Sequence, residues 1–124
     1  MGTYRELRVW QQAVDLALNV YRVTEQFPHA EQFGLTSQLR RAAVSISSNI
    51  AEGKGRHTDR DFCGFLFRAR GSLLELETQI LIASRLGYLG TETQNQILEE
   101  SAVLGRGLNA LINAFQPAEP QRTR

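Results

Sequence analysis

Pro28, the Gly53/Gly55 pair and Gly87 divide a 124-residue chain into four stretches, each repeating apolar residues at helical spacing. No strand-like alternation persists in any of them. The first stretch reads as a helix from about Leu7 to Phe27, stopped by Pro28. The second runs from about Thr36 to Glu52 and is stopped by the glycines flanking Lys54. Thr58 is placed to cap the third, with Asp59 and Asp61 in its first turn favouring the positive end of the helix dipole. That helix continues to about Leu86. Thr91-Glu92-Thr93-Gln94 fits a capping box for a fourth, which reaches about Phe115. Connections of a few residues favour antiparallel neighbours, so the expected fold class is all-α: an antiparallel up-down-up-down four-helix bundle. The Pro28 to Leu35 connection is longer, and Phe27 and Phe33 are expected to fold back onto the bundle. One domain covers residues 1–116. Residues 117–124, with Pro117, Pro120, Arg122 and Arg124, read as a frayed tail.

The apolar faces are wider than a lone bundle needs. On the third helix Phe62, Leu66, Ala69, Leu73, Leu76, Ile80 and Ala83 form one core stripe. Phe67, Leu74, Leu81 and Tyr88 recur every seven residues and form a second stripe, roughly 135° from the first. The first helix also carries a broad apolar arc, which includes Val9, Ala13, Leu16 and Val20. Surplus apolar surface on two helices points to an interface between copies of the chain, and the expected interface residues are these two sets. The competing reading is that the N-terminal segment or the tail covers the extra stripe within one chain. The fourth helix has one seam, Ile97, Leu104, Leu108, Leu111 and Phe115. Gly105 and Gly107 inside it, and Gly64 and Gly71 in the third helix, are explained by close helix approach or by local fraying. Close approach is favoured for Gly71.

Little in the chain announces catalysis. A di-metal bundle site needs inward Glu and Glu-x-x-His pairs. The two histidines, His29 and His57, lie in connections, and neither has Glu three residues before it. No metal or other cofactor is expected. Cys63 is the sole cysteine, which excludes an intrachain disulfide; a reducing, cytoplasmic setting is the simplest expectation. No base is obviously placed to activate it, so it reads as a small hydrophobe. Neither a phosphate-loop nor a dinucleotide glycine pattern occurs. Gly53-Lys54-Gly55-Arg56 is a weak candidate for holding an anion with backbone amides. The N-terminus lacks the apolar run of a signal peptide and the Ser or Thr of a myristoylation motif, and no apolar stretch is long enough to span a membrane.

The distribution of charge is more informative than its total of +1, which excludes a histone-like protein. Seven cations and three anions lie between Thr36 and Arg70, a local excess of four. From Gly71 to Glu119, two cations face six anions. Arg outnumbers Lys 13 to 1, and the guanidinium fork suits phosphate or carboxylate. Arg40, Arg41, Lys54, Arg56, Arg68 and Arg70 are therefore candidate contacts to RNA or DNA. The competing explanation is salt bridging between this segment and the acidic half, within or between subunits. On the second helix Arg41, Ser45, Ser48 and Glu52 line a polar stripe bordered by Asn49. Those side chains either bind a partner or tie the helix to its neighbours, and the structural reading is favoured.

The same residues carry a family likeness. Leu7-Arg8-Val9-Trp10-Gln11-Gln12-Ala13, Phe27-Pro28, Glu31 to Ala43, and Ser45-Ile46-Ser47-Ser48-Asn49-Ile50-Ala51-Glu52-Gly53 form a series that resembles the 23S rRNA intervening-sequence proteins. The likeness continues through Phe65-Leu66 and Ala69 to Glu77, and covers most of the chain up to about Gly87. It implies a homopentameric ring of antiparallel four-helix bundles and no catalytic residues. The chain is similar too to the accessory proteins of diversity-generating retroelements, pentamers that engage nucleic acid and a reverse transcriptase. Those are strongly basic, whereas this chain is nearly neutral. Many relatives have Pro where Ser47 stands, so the second helix is expected to be straighter here. The expected function is a non-enzymatic oligomeric scaffold that binds RNA, another nucleic acid or a ribonucleoprotein through an Arg-rich surface. The alternative is a protein-only assembly module.

Overall fold

A computed structural model describes residues 2–117, which form four helices and two 3-10 turns with no strand among them. The helices are α1 (Arg8–Thr24), α2 (Leu35–Lys54), α3 (Asp59–Arg85) and α4 (Thr91–Phe115). The 3-10 turns are Tyr4–Glu6 and His29–Glu31. The expected tail beyond Pro117 lies outside the described residues. None of the described helices is long and apolar enough to cross a membrane.

Each helix packs on two neighbours in the cyclic order α1, α2, α3, α4. Between α2 and α3 the pairs Gln38–Gln79, Ser45–Ser72 and Gly53–Phe65 step forward along one helix and backward along the other. Ser101–Glu77 and Asn109–Arg70 do the same between α4 and α3. The core is the apolar stripe of each helix. Leu39, Ala42, Ile46 and Ile50 of α2, the seven-residue stripe of α3 from Phe62 to Ala83, and Ile97, Leu104 and Leu108 of α4 are all buried. Full burial of each large aliphatic side chain contributes about 1.5–3 kcal/mol.

The helix ends show which local signals operate. Thr58 caps α3, its Oγ1 accepting from the Asp61 amide at 3.1 Å. Gly87 adopts φ 81° just past α3, a conformation that glycine takes without a Cβ penalty. There the Tyr88 amide donates to Ala83 O and the Gly87 amide to Ser84 O, closing the end of α3. Three expected boundaries are corrected. First, α1 ends at Thr24, whose hydroxyl bonds back to Val20 O at 2.8 Å. Second, α2 runs through Gly53 to Lys54, because Gly53 is a packing residue: a Cβ there would lie 2.6 Å from Phe65 Cβ. Third, Gly90, not Thr91, is the N-cap of α4, and no side chain caps that end.

The glycines of α3 and α4 divide into two kinds. Gly107 sits against Val9, where a Cβ would approach Val9 Cγ1 to 2.7 Å, so close approach explains it. Gly64 and Gly71 face open space, and a Cβ at either would meet nothing within 4 Å. Close approach within the chain therefore does not account for Gly71.

Candidate functional site

The expected interface residues separate cleanly by burial. Val9, Ala13, Leu16 and Val20 are core, each at most 5% exposed, and offer no surface to another copy. The correction has a simple cause. A bundle helix packs on two neighbours at once, and α1 fills the crease between α2 and α4 with most of its wide arc. Tyr88 is also removed: it is half-buried, stacks on Phe27 at 5.5 Å and donates to Glu31 Oε2 at 2.9 Å. That hydrogen bond, with burial and the nearby Glu31 charge, raises the phenol pKa above its ordinary value. Phe67, Leu74 and Leu81 remain, exposed by 40%, 57% and 40%. They lie in register with Gly64, Gly71 and Thr78, all exposed, at alternating steps of three and four along α3. This is the spacing of a helix seam, formed here on an outward face.

The candidate cations do not form one patch. Arg40 and Arg41 lie near the start of α2, while Lys54 ends it about 20 Å further along at 1.5 Å per residue and Arg56 follows in the turn. Arg56 and Arg68 converge, each guanidinium 4.7 Å from the centre of the Phe65 ring. Lys54 Nζ lies 6.0 Å from the neighbouring Phe62 ring. Arg70 stacks on Phe67 at 4.8 Å and donates to Asn109 Oδ1 at 3.0 Å. Arg40 rests 4.6 Å over Tyr21 and donates to Thr24 Oγ1 and Tyr21 O. Aromatic rings thus hold the guanidiniums in place while carboxylates scarcely engage them. Among the described residues the one ion pair is Arg56–Glu52, an exposed i,i+4 contact at 3.1 Å worth about 0–1 kcal/mol.

Other sequence candidates have structural roles. The amides of the Gly53 to Arg56 turn point back to their own helix: Gly55 N–H bonds Ala51 O and Glu52 O, and Arg56 N–H bonds Gly53 O. They cannot cradle an anion. Asn49 donates to Ser45 O and Ser45 Oγ, and Ser45 Oγ meets Ser72 Oγ at 2.9 Å, so this polar stripe ties α2 to α3. Cys63 is 4% exposed with its thiol directed at Ile112 O, and burial, assisted by the Asp59 charge, pushes its pKa up. No group of three or more potential metal ligands occurs among the described residues. A groove of about 700 Å³ runs between α1 and α4 past Asp15, Glu99 and Glu100, where Asn19 links Arg22 and Glu100 by hydrogen bonds.

Phe33 is the residue most at odds with expectation. Of the two phenylalanines expected to fold back onto the bundle, Phe27 is buried, but Phe33 is 91% exposed. It forms one wall of a second cavity, of about 590 Å³, that also includes Tyr21, Arg40 and Arg41. The sequence signal that points here is an aromatic residue between polar Gln32 and Gly34, shortly before two arginines.

A family model described as 23S rRNA-intervening sequence protein matches residues 5–110. Among solved structures, the chain is similar to a protein of unknown function from the S23 ribosomal protein family of Bacteroides thetaiotaomicron VPI-5482. The two are 22% identical, the match covers 85% of this chain and 95% of that one, and the TM-score is 0.78. At that identity the likeness speaks for the fold. No match is found among curated proteins.

Proposed function

The chain belongs to the family of 23S rRNA-intervening sequence proteins, and from that premise we propose a non-enzymatic scaffold that assembles from several copies and binds RNA through its arginines. The unit is an antiparallel up-down-up-down bundle working in the cytoplasm. The copies associate through the outward seam of α3, and the family resemblance implies a pentameric ring. The observation that carries the RNA reading is the unneutralised state of the cations. Salt bridging to the acidic half, within or between subunits, is the competing account of the Arg-rich segment; within the chain, only Arg56 reaches a carboxylate within 4 Å among the described residues, and that carboxylate is Glu52 of the same segment. Arg68, which shares the Phe65 ring with Arg56 despite their mutual repulsion, has no such partner among the described residues. A phosphate between them would relieve that repulsion and engage both forks.

A salt series tests the reading. Binding of RNA by the full chain should weaken steeply as salt rises, because each neutralised phosphate releases counterions. Absence of detectable binding at low salt to any RNA or DNA tested would remove it. The exposed seam of Phe67, Leu74 and Leu81 would then favour the second reading, a module that assembles with protein only.

A further inference from the structure

We propose that the cavity between α1 and the start of α2 is a stacking site for single-stranded nucleic acid, with a base on Phe33 and a phosphate on Arg41. The proposal rests on the nucleic-acid reading above and gives it a place and a substrate class. The argument begins with Phe33. An aromatic ring 91% exposed loses the apolar burial that ordinarily justifies it. Its loop is nevertheless well tied. Gly34 N–H bonds Glu31 O at 3.0 Å, Leu35 N–H bonds Glu31 Oε1 at 3.1 Å, and the other Glu31 oxygen accepts from Tyr88. Phe33 is thus carried on a hydrogen-bonded platform.

The walls complete the chemistry. Tyr21, 42% exposed, supplies a second aromatic surface, and the Arg40 guanidinium lies over it at 4.6 Å. Arg40 is anchored through Nε and Nη2, which leaves Nη1 for a ligand. Arg41 is exposed and makes no ion pair among the described residues. The hydroxyl of Ser37 adds a polar edge, and no carboxylate among the described residues lines the cavity. A volume of about 590 Å³ lies within the range of small-molecule sites, large enough for a nucleotide. Flat rings beside cations with no opposing acid suit an unpaired base joined to a phosphate. A duplex keeps its bases stacked on one another and presents no free face to Phe33. An acidic peptide would satisfy the arginines but would leave the ring without a planar partner.

Fluorescence anisotropy with two probes tests this on the full chain: a fluorescein-labelled unstructured RNA of about 12 nucleotides, within the span such sites cover, and a blunt RNA duplex of equal length. Phe33→Ala should weaken the single-stranded probe about tenfold, as loss of one stacked base does, while duplex binding, helical content and solution mass stay unchanged. Arg41→Ala should weaken both probes and lower the salt slope on the single strand by about 0.7. Equal affinity of Phe33→Ala and the wild type for the single strand would overturn the site and leave the nucleic-acid reading standing. Equal losses on both probes, or a changed mass, would overturn it too, the latter by making Phe33 a contact between copies. Displacement of the single strand from the wild type by a Glu-rich peptide, and not from Phe33→Ala, would reassign the cavity to a protein partner. If the wild type bound neither probe at low salt, the nucleic-acid reading would fail first and the site with it.

Discussion

At the scale of single residues, glycine has opposite meanings at two positions of this bundle. Gly53 is buried where α2 crosses the start of α3, and a Cβ there would lie 2.6 Å from Phe65 Cβ and 3.1 Å from Phe62 Cδ1. The first obstruction is a Cβ on a packed helix, which moves only if the backbone moves. Gly53→Ala should therefore destabilise the protein by about 1–3 kcal/mol despite the better helix propensity of Ala, as read by urea unfolding. It should also disturb Phe65, the ring on which Arg56 and Arg68 rest. Stability equal to or above the wild type would mean that this crossing is looser than the contacts indicate. Gly71, by contrast, is exposed on α3 with open space beside it. In the sequence, Gly53 stands beside Lys54-Gly55 and reads as a stop signal. Its packing role is hidden there because a helix-ending glycine and a helix-crossing glycine look alike until the partner helix is known.

At the scale of elements, α3 is the helix with two faces to satisfy. Its inner stripe is legible in the sequence because seven apolar residues at helical spacing leave little freedom in the choice of core. The outer seam is partly legible: the seven-residue recurrence finds Phe67, Leu74 and Leu81, and overextends to Tyr88, which the turn after Gly87 carries back against Phe27. The breadth of α1 suggests an interface, yet Val9, Ala13, Leu16 and Val20 go to the core, because one sequence does not show how much of a helix its two neighbours cover. The outer seam has a measurable cost. Gly64 and Gly71 in an exposed helix each forgo about 1 kcal/mol relative to Ala, and nothing among the described residues occupies the space they leave. A neighbouring copy approaching closely along the seam would account for both. Truncating Phe67, Leu74 and Leu81 together to Ala should then reduce the solution mass to that of one chain while circular dichroism stays helical, since each side chain is at least 40% exposed in the lone bundle. An assembly that survives the triple change would refute the seam as the interface.

At the scale of the whole molecule, the sequence-level charge excess resolves into two separate arginine regions. Adjacent in a linear count of charges, Arg40 and Arg41 are separated from Lys54 and Arg56 by most of α2. Such a count is blind to that separation, and the loop that carries Phe33 has no periodicity from which its exposure could be read. On the proposed reading the two regions would make distinguishable contributions to binding. Phe33 and Arg41 would act on an unpaired base and its phosphate. Arg56 and Arg68, stacked on Phe65, offer charge without a free aromatic face, because Phe65 is only 8% exposed. A contact they made to nucleic acid would therefore be to the backbone and indifferent to strandedness. Replacing both by Ala should lower the slope of log affinity against log salt by about 1.4 on single-stranded RNA, the effect of two lost phosphate contacts. The loss should add to that of Phe33→Ala, because the sites share no partner and lie well beyond the distance at which side chains couple. Measured in the same anisotropy assay, an unchanged slope would assign the Arg56–Arg68 pair to packing on Phe65 alone. A combined loss smaller than the sum would place both regions on one contact, which the length of α2 does not permit within a single chain.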